Sequence, residues 1–151
     1  MEKKKAIIVD LDGTLANVEH RRHFLKETPP DWRSFNESMV TDTVNEWCHT
    51  LMKRMQGGTY GGRSILLVSG RGEEYRPHTE DWLEELIIDY DKLLMRPAGD
   101  FRADEIIKRE IYEEKIKDFY DVLFVIDDRS KVVKMWRSLG LVCLQCCEGD
   151  Y

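Results

Sequence analysis

Three short apolar runs, each closed by a polar cluster, constrain this chain more than any other feature. Ala6-Ile7-Ile8-Val9 ends at Asp10-Leu11-Asp12, Ile65-Leu66-Leu67-Val68 at Ser69-Gly70-Arg71, and Val122-Leu123-Phe124-Val125-Ile126 at Asp127-Asp128-Arg129. Runs this short, with no polar face, suit strands buried on both sides, as in a parallel sheet. Parallel strands need crossovers, and the intervening segments carry helical periodicity. Val44, Trp47, Cys48, Leu51 and Met55 form one face of a helix opened by a capping box at Thr43-Val44-Asn45-Glu46 and ended by Gly57, Gly58, Gly61 and Gly62. Further helices are predicted from about Thr79 to Ile88, from Asp104 towards Asp118, and behind a face of Val132, Val133, Trp136 and Leu139 that stops at Gly140. Leu93-Leu94-Met95 and Leu141 to Gln145 supply two more strands. The expected fold is α/β and Rossmann-like, a central parallel sheet with helices on both faces. It forms a single domain over residues 1–151, with a small helical flap at about 17–45 after the first strand.

The length of 151 residues and the 42% of apolar residues suffice for one packed core. A balance of 23 basic against 29 acidic residues, net −6, argues against a polycationic nucleic-acid coat. No apolar run is long enough to span a bilayer, and the stretch before Asp10 is too short for a signal-peptide core, so a cytoplasmic protein without membrane contact is expected. Cys143 and Cys146 form a CxxC followed by Cys147, but with only Cys48 elsewhere a zinc site lacks half its ligands. On a strand Cys143 and Cys146 point to opposite faces, and the four are expected to be buried, reduced thiols.

In a parallel sheet the ligand site lies beyond the carboxyl ends of the strands. That rule brings Asp10, Asp12, Asp127 and Asp128 to one rim, where four carboxylates repel one another unless a cation is bound. Oxygen donors with no neighbouring His or Cys suit Mg²⁺. Arginines recur around the same rim, at Arg21, Arg22, Arg71, Arg96 and Arg129, and their forked donors suit phosphate diesters. Arg22, Arg63 and Arg76 also have a simpler reading as solvated surface. The flap is too small to enclose a metabolite, which leaves an open site that a polymer end can enter. Its aromatics Phe24, Trp32 and Phe35 are read as anchors of the insertion, with base stacking as the alternative.

Val9-Asp10-Leu11-Asp12-Gly13-Thr14-Leu15 resembles the first motif of the haloacid dehalogenase superfamily of phosphohydrolases, Ser69 in Val-Ser-Gly-Arg its second, and Asp127-Asp128 its fourth. Lys108 and Lys115 are the candidates for the third. Over nearly its whole length, residues 22–45 matching least, the chain resembles the 3′-phosphatase domain of phage-type polynucleotide kinase/phosphatase. The stretches Gly99 to Lys108, Ile126 to Arg137 and Glu148-Gly149-Asp150-Tyr151 carry this likeness and favour Lys108. The resemblance implies Asp10 as nucleophile, forming an aspartyl-phosphate, and Asp12 as the acid and base, which requires a raised pKa. It implies Ser69 and Lys108 on the phosphoryl oxygens, with Asp104, one helical turn before Lys108, orienting the ammonium. Mg²⁺ is implied on Asp10, the Asp12 carbonyl and one of Asp127 or Asp128, with Asp128 favoured. Thr14, Gly70, Arg21, Arg71, Arg96 and Arg129 fall on the substrate side.

The implied reaction is removal of 3′-phosphates from DNA or RNA ends. A mononucleotide or small-molecule phosphatase is the alternative, and an inactive end-binding module a third reading. No GxxxxGK[ST] phosphate-binding loop is present, so the chain lacks the kinase half: either the phosphatase stands alone, or a kinase or ligase acts in trans, or the chain is an excised domain.

Overall fold

The computed structural model describes residues 2–58 and 61–151. The elements run in the order β1 (Lys4–Val9), β2 (Ala16–Asn17), a 3₁₀ stretch (Glu19–Lys26), α1 (Trp32–Glu37), a 3₁₀ turn (Ser38–Thr41), β3 (Thr43–Val44), α2 (Glu46–Gln56), β4 (Ser64–Gly72), a 3₁₀ turn (Glu73–Tyr75), α3 (Arg76–Glu85) and β5 (Lys92–Arg96). There follow α4 (Asp104–Ile111), continued by a π-helical turn (Tyr112–Ile116), then β6 (Tyr120–Arg129), α5 (Ser130–Ser138) and β7 (Cys143–Gly149).

Five strands form one parallel sheet in the order β5-β4-β1-β6-β7, which is the α/β architecture expected. Alternation along the strands divides the core in two. Ile7 and Val9 of β1, Ile65 and Leu67 of β4, and Leu93 and Met95 of β5 pack against Cys48 and Met52 of α2 and Trp82 and Leu83 of α3. Ala6 and Ile8, with Leu66 and Val68, face the other way onto Ile107 and Ile111 of α4 and Val132, Val133 and Trp136 of α5. Each fully buried aliphatic side chain contributes about 1.5–3 kcal/mol, so both faces of the sheet hold the fold.

The chain leaves β1 for β4 and β5 on one side, then crosses to β6 and β7 on the other. The order of strands therefore reverses between β1 and β6, and ligand crevices open at such points. The motif strands β4, β1 and β6 are adjacent, so their carboxyl ends share one rim.

Several local expectations change. The Thr43-Val44-Asn45-Glu46 capping box does not form: Thr43 and Val44 pair with Asn17 and Ala16 as the antiparallel stem of the flap. Asn45 donates its side-chain amide to the Thr14 carbonyl at 2.8 Å, fastening stem to body. The buried face of α2 consequently centres on Cys48 and Met52, and Trp47 is exposed. The third helix starts at Arg76 rather than Thr79, because Pro77 fits the first helical turn. The glycine-rich loop expected after α2 includes Thr59 and Tyr60, which lie outside the described residues.

Phe35 and Met39 are buried and anchor the flap, and Phe24 packs partly against the same cluster. All four cysteines are free thiols, but only Cys48 and Cys143 are buried; Cys147 on the edge strand is exposed. Burial pushes the Cys48, Cys143 and Cys146 thiols up to about 12, which keeps them protonated and poor metal ligands. No helix among the described residues is long and apolar enough to cross a membrane.

Candidate active site

At the carboxyl ends of β1 and β6, Asp10, just past β1, and Asp127 and Asp128, in the last residues of β6, bring one carboxylate oxygen each within 4.8 Å of the others. All three are buried. Lys108, projecting from α4 and itself 2% exposed, donates to Asp10 Oδ1 at 2.8 Å and Asp127 Oδ2 at 2.9 Å. Trp136 Nε1, fully buried on α5, donates to Asp127 Oδ2 at 3.2 Å. Thr14 Oγ1 donates to Asp10 Oδ2 at 3.1 Å, and Tyr151 donates its hydroxyl to Asp128 Oδ2 at 2.6 Å.

Charge in this cluster does not balance. Burial, then repulsion from Asp127, raises the Asp10 carboxyl well above the usual carboxylate range, although Lys108 pulls the other way. Burial raises Asp128 as well. The Lys108 ammonium moves further up its own range, because Asp10 and Asp127 outweigh the cost of burying it. Three buried carboxylates sharing one ammonium, with only oxygen donors in the set, fit a hard divalent cation.

Asp12 lies two residues from Asp10 yet belongs to another set of contacts. Its carboxylate accepts from Arg21 Nη2 at 2.6 Å and Arg71 Nη2 at 2.6 Å. Arg21 also grips Asp42 through Nε at 2.8 Å and Nη2 at 2.6 Å, and donates to the Phe35 carbonyl at 2.9 Å. Burial works against the Asp12 charge, but Arg71 and Arg21 outweigh it and hold this carboxyl far below the usual range. Two expectations are thereby corrected: the four carboxylates do not converge, and the Asp12 pKa is lowered rather than raised. β1 ends at Val9 and the chain turns from Leu11, so the strand alternation that would have put both side chains on one face stops before Asp12.

The remaining predicted residues divide in the same way. Arg21 is completely buried and Arg71 is 2% exposed with its guanidinium on Asp12 and Thr79, so neither is a free strand-binding arginine as expected. Thr14 is likewise enclosed and holds Asp10 instead of reaching substrate. Ser69 is buried behind the β4 end, its Oγ accepting the Arg71 N–H at 3.0 Å. Gly70 lines the cleft; a Cβ there would collide with the Asp104 carboxylate, and its carbonyl accepts from Arg96 at 2.7 Å. Asp104 was expected to orient Lys108, but its hydrogen bonds go to Arg96 and, at 2.8 Å, to Arg129. The hydrogen bonds thus go to the two arginines, while Lys108 acts on Asp104 through its charge and holds that carboxyl down against burial. Arg22, read as solvated, lies over the Tyr151 ring at 5.1 Å, while Arg76 pairs with Glu73 at 2.6 Å.

Asp42, Trp136 and Tyr151 were not identified from sequence as site residues. Asp42 had no signal, being one acid in a polar flap. Tyr151 had a weak one, since an aromatic after Glu148-Gly149-Asp150 sits just past the edge strand β7. The acids open onto a cleft of 460 Å³ lined also by Trp32, Arg71, Arg96, Phe101, Arg129 and Tyr151.

The family described as the polynucleotide kinase PNKP phosphatase domain matches residues 4–151. A chain of the Pnkp1/Rnl/Hen1 RNA repair complex superposes with a TM-score of 0.84 at 38% identity, covering 99% of this chain and 44% of that one. A protein of Autographa californica nuclear polyhedrosis virus, provisionally designated a bifunctional polynucleotide kinase/RNA ligase, is 29% identical over 138 residues, 91% of this chain and 18% of its own length. The class C acid phosphatase from Bacillus anthracis shares the fold, with a TM-score of 0.70 at 16% identity over 100% of this chain and 69% of that chain. This chain thus spans less than half the length of the two repair-related proteins.

Proposed function

From membership of the polynucleotide kinase PNKP phosphatase-domain family of the haloacid dehalogenase superfamily, to which this chain belongs, we propose that it removes 3′-phosphates from polynucleotide ends. The proposed catalyst is Asp10, and the proposed cofactor is Mg²⁺. The observation that carries the reading is the Lys108 ammonium bridging Asp10 and Asp127 at the floor of an arginine-rimmed cleft.

Attack of a carboxylate on a phosphomonoester brings two anions together, so the site must neutralise charge before it can accelerate anything. The Asp10 and Asp128 carboxylates, with the Asp12 main-chain carbonyl, would hold Mg²⁺, which supplies positive charge to the phosphoryl oxygens. Lys108 contributes a second charge from the α4 side. An Asp10 carboxylate oxygen attacks phosphorus as the bond to the strand's 3′-oxygen breaks, leaving an aspartyl-phosphate. Water then attacks that phosphorus and regenerates Asp10. The ionised state of Asp12 suits this second half, where it takes the proton of the attacking water. In the first half the departing oxygen takes its proton from water in the open cleft, since Arg71 and Arg21 leave Asp12 with none to give.

A kinase or a ligase working on the same strand ends is the proposed companion, supported by the designations of the relatives. The compartment proposed is the cytoplasm, in keeping with four unpaired thiols. The test is phosphate release from a 3′-phosphorylated oligonucleotide, measured beside a 5′-phosphorylated one and the 3′- and 5′-mononucleotides, with Mg²⁺ and with EDTA. Strong preference for the 3′-phosphorylated strand, lost in EDTA, is the expected result. Equal or faster hydrolysis of mononucleotides would replace the reading by that of a nucleotidase.

A further inference from the structure

Phe101 is 93% exposed at the rim of the catalytic cleft, on a loop that is firmly fastened. Arg96 donates to the carbonyls of Asp100 and Arg102, while Arg102 donates to Asp100 at 2.7 Å and to Glu110 at 2.7 Å. These bonds fix the chain on either side of Phe101, whose ring lines the cleft in contact with solvent. Trp32, 45% exposed, lines the same cleft from α1 in the flap. Its ring meets Phe35 edge-on at 5.8 Å and carries the Arg129 guanidinium at 5.9 Å, so it is fixed in position as well. Neither ring belongs to the two core clusters.

We propose that Phe101 is the stacking platform for the base of the phosphate-bearing terminal nucleotide, with Trp32 as a second aromatic wall; this rests on the reading of the chain as a polynucleotide 3′-phosphatase. Continuity identifies the occupant. One cleft joins Asp10 and Lys108 to both rings, so a group stacked on them belongs to the molecule whose phosphate is attacked. Size agrees: 460 Å³ lies towards the lower end of the roughly 300–1,000 Å³ of small-molecule pockets, room for one nucleotide. A stacked ring senses the presence of a base and not its identity, because every base offers a π-face. The site therefore discriminates an intact terminal nucleotide from an abasic end.

The experiment compares wild type, Phe101→Ala and Phe101→Trp on two 3′-phosphorylated oligonucleotides, one with a normal terminal nucleotide and one with an abasic terminal sugar. Wild type should show a KM on the order of tenfold lower for the base-bearing end, the strength expected of one base–aromatic stack. Phe101→Ala should bring that ratio close to one, and Phe101→Trp should restore it. Because Phe101 contacts solvent, loss of folding does not confuse the result. A wild-type enzyme that treats both ends alike, or a Phe101→Ala enzyme that keeps the ratio, overturns the platform while leaving 3′-phosphatase function standing. Failure of wild type on both oligonucleotides, with mononucleotides hydrolysed, removes the platform together with the reading beneath it.

Discussion

Around Asp12, two carboxylates face two guanidinium groups, Asp12 and Asp42 against Arg21 and Arg71. Around Asp10, three carboxylates face one ammonium. Arg21, Arg71 and Asp42 are buried with Asp12 partly exposed, Asp10, Asp127 and Asp128 are buried, and the two clusters meet just past the end of β1. Yet the first is balanced by the chain itself, and the second is short of two positive charges. A protein interior does not tolerate such a deficit at neutral pH without protonating an acid or binding a cation. The balanced cluster serves as scaffold and holds Asp12 in the ionised state that its proposed role as base requires. The unbalanced one is a socket of the right charge for a divalent ion, and the imbalance is what aims it at chemistry.

Asp10→Asn should separate these roles most sharply. Removing the nucleophile is expected to lower turnover by about 10⁴-fold or more. The same substitution should make the metal-free protein more stable at pH 7. The folded-state pKa of Asp10 lies above its unfolded value, so its contribution is fully present below that unfolded value and is lost as pH rises through the folded one. At neutral pH the metal-free wild type carries this loss, and asparagine does not. Thermal melts in EDTA at pH 4 and pH 7 check the sign: the variant's advantage should appear only at the higher pH. An advantage of equal size at both would mean that charge is not its source.

The balanced cluster predicts the reverse. Arg21→Ala leaves Asp12 and Asp42 with Arg71 alone, and breaking a buried pair from one side costs about 3–5 kcal/mol. Urea unfolding should show that loss with or without Mg²⁺, since no cation site replaces a guanidinium that bridges two acids. Asp12 also has the opposite pH signature, because its folded pKa is depressed. Its contribution persists above the unfolded value and disappears only as pH falls through the folded one. A loss below about 1 kcal/mol in Arg21→Ala would show that the network is a surface pairing in effect, whatever its burial.

The sequence discloses the socket better than the scaffold, for a physical reason. Strand-end position is local information: an apolar run followed by Asp10, by Ser69 or by Asp127 places those residues at the rim once the sheet is parallel. Side-chain direction is not local. Asp10 and Asp12 are separated by one residue, and the turn that begins at Leu11 between them sends them to different partners. The Arg21 fork closes on Asp42, 21 residues away across the flap, and nothing in spacing or composition marks that pair. Helical spacing put Lys108 beside Asp104, four positions away, whereas the ammonium is hydrogen-bonded to Asp10, 98 positions away, which no local spacing marks. What pattern left open is consistently the choice among competing partners across loops.

Tyr151 offers the smallest and most selective test of the comparison, because it touches the socket without altering its charge. Its hydroxyl donates to Asp128 Oδ2, its carbonyl accepts from Arg129, and its ring is flanked by Arg22 at 5.1 Å and Arg129 at 5.2 Å. Tyr151→Phe keeps the ring and the main-chain contact and removes only the hydroxyl. If Tyr151 orients Asp128 for a cation, affinity for Mg²⁺ should fall about tenfold, the lower end of what partners behind metal ligands contribute. Calorimetric titration of Mg²⁺ reads this directly and does not depend on turnover. Stability in EDTA should scarcely change, since Asp128 loses one donor but can rotate towards the solvent of the cleft. Unchanged affinity would instead make the hydroxyl a passenger, and Asp128 would then be held by the turn at Gly13, whose missing side chain leaves the space its carboxylate occupies.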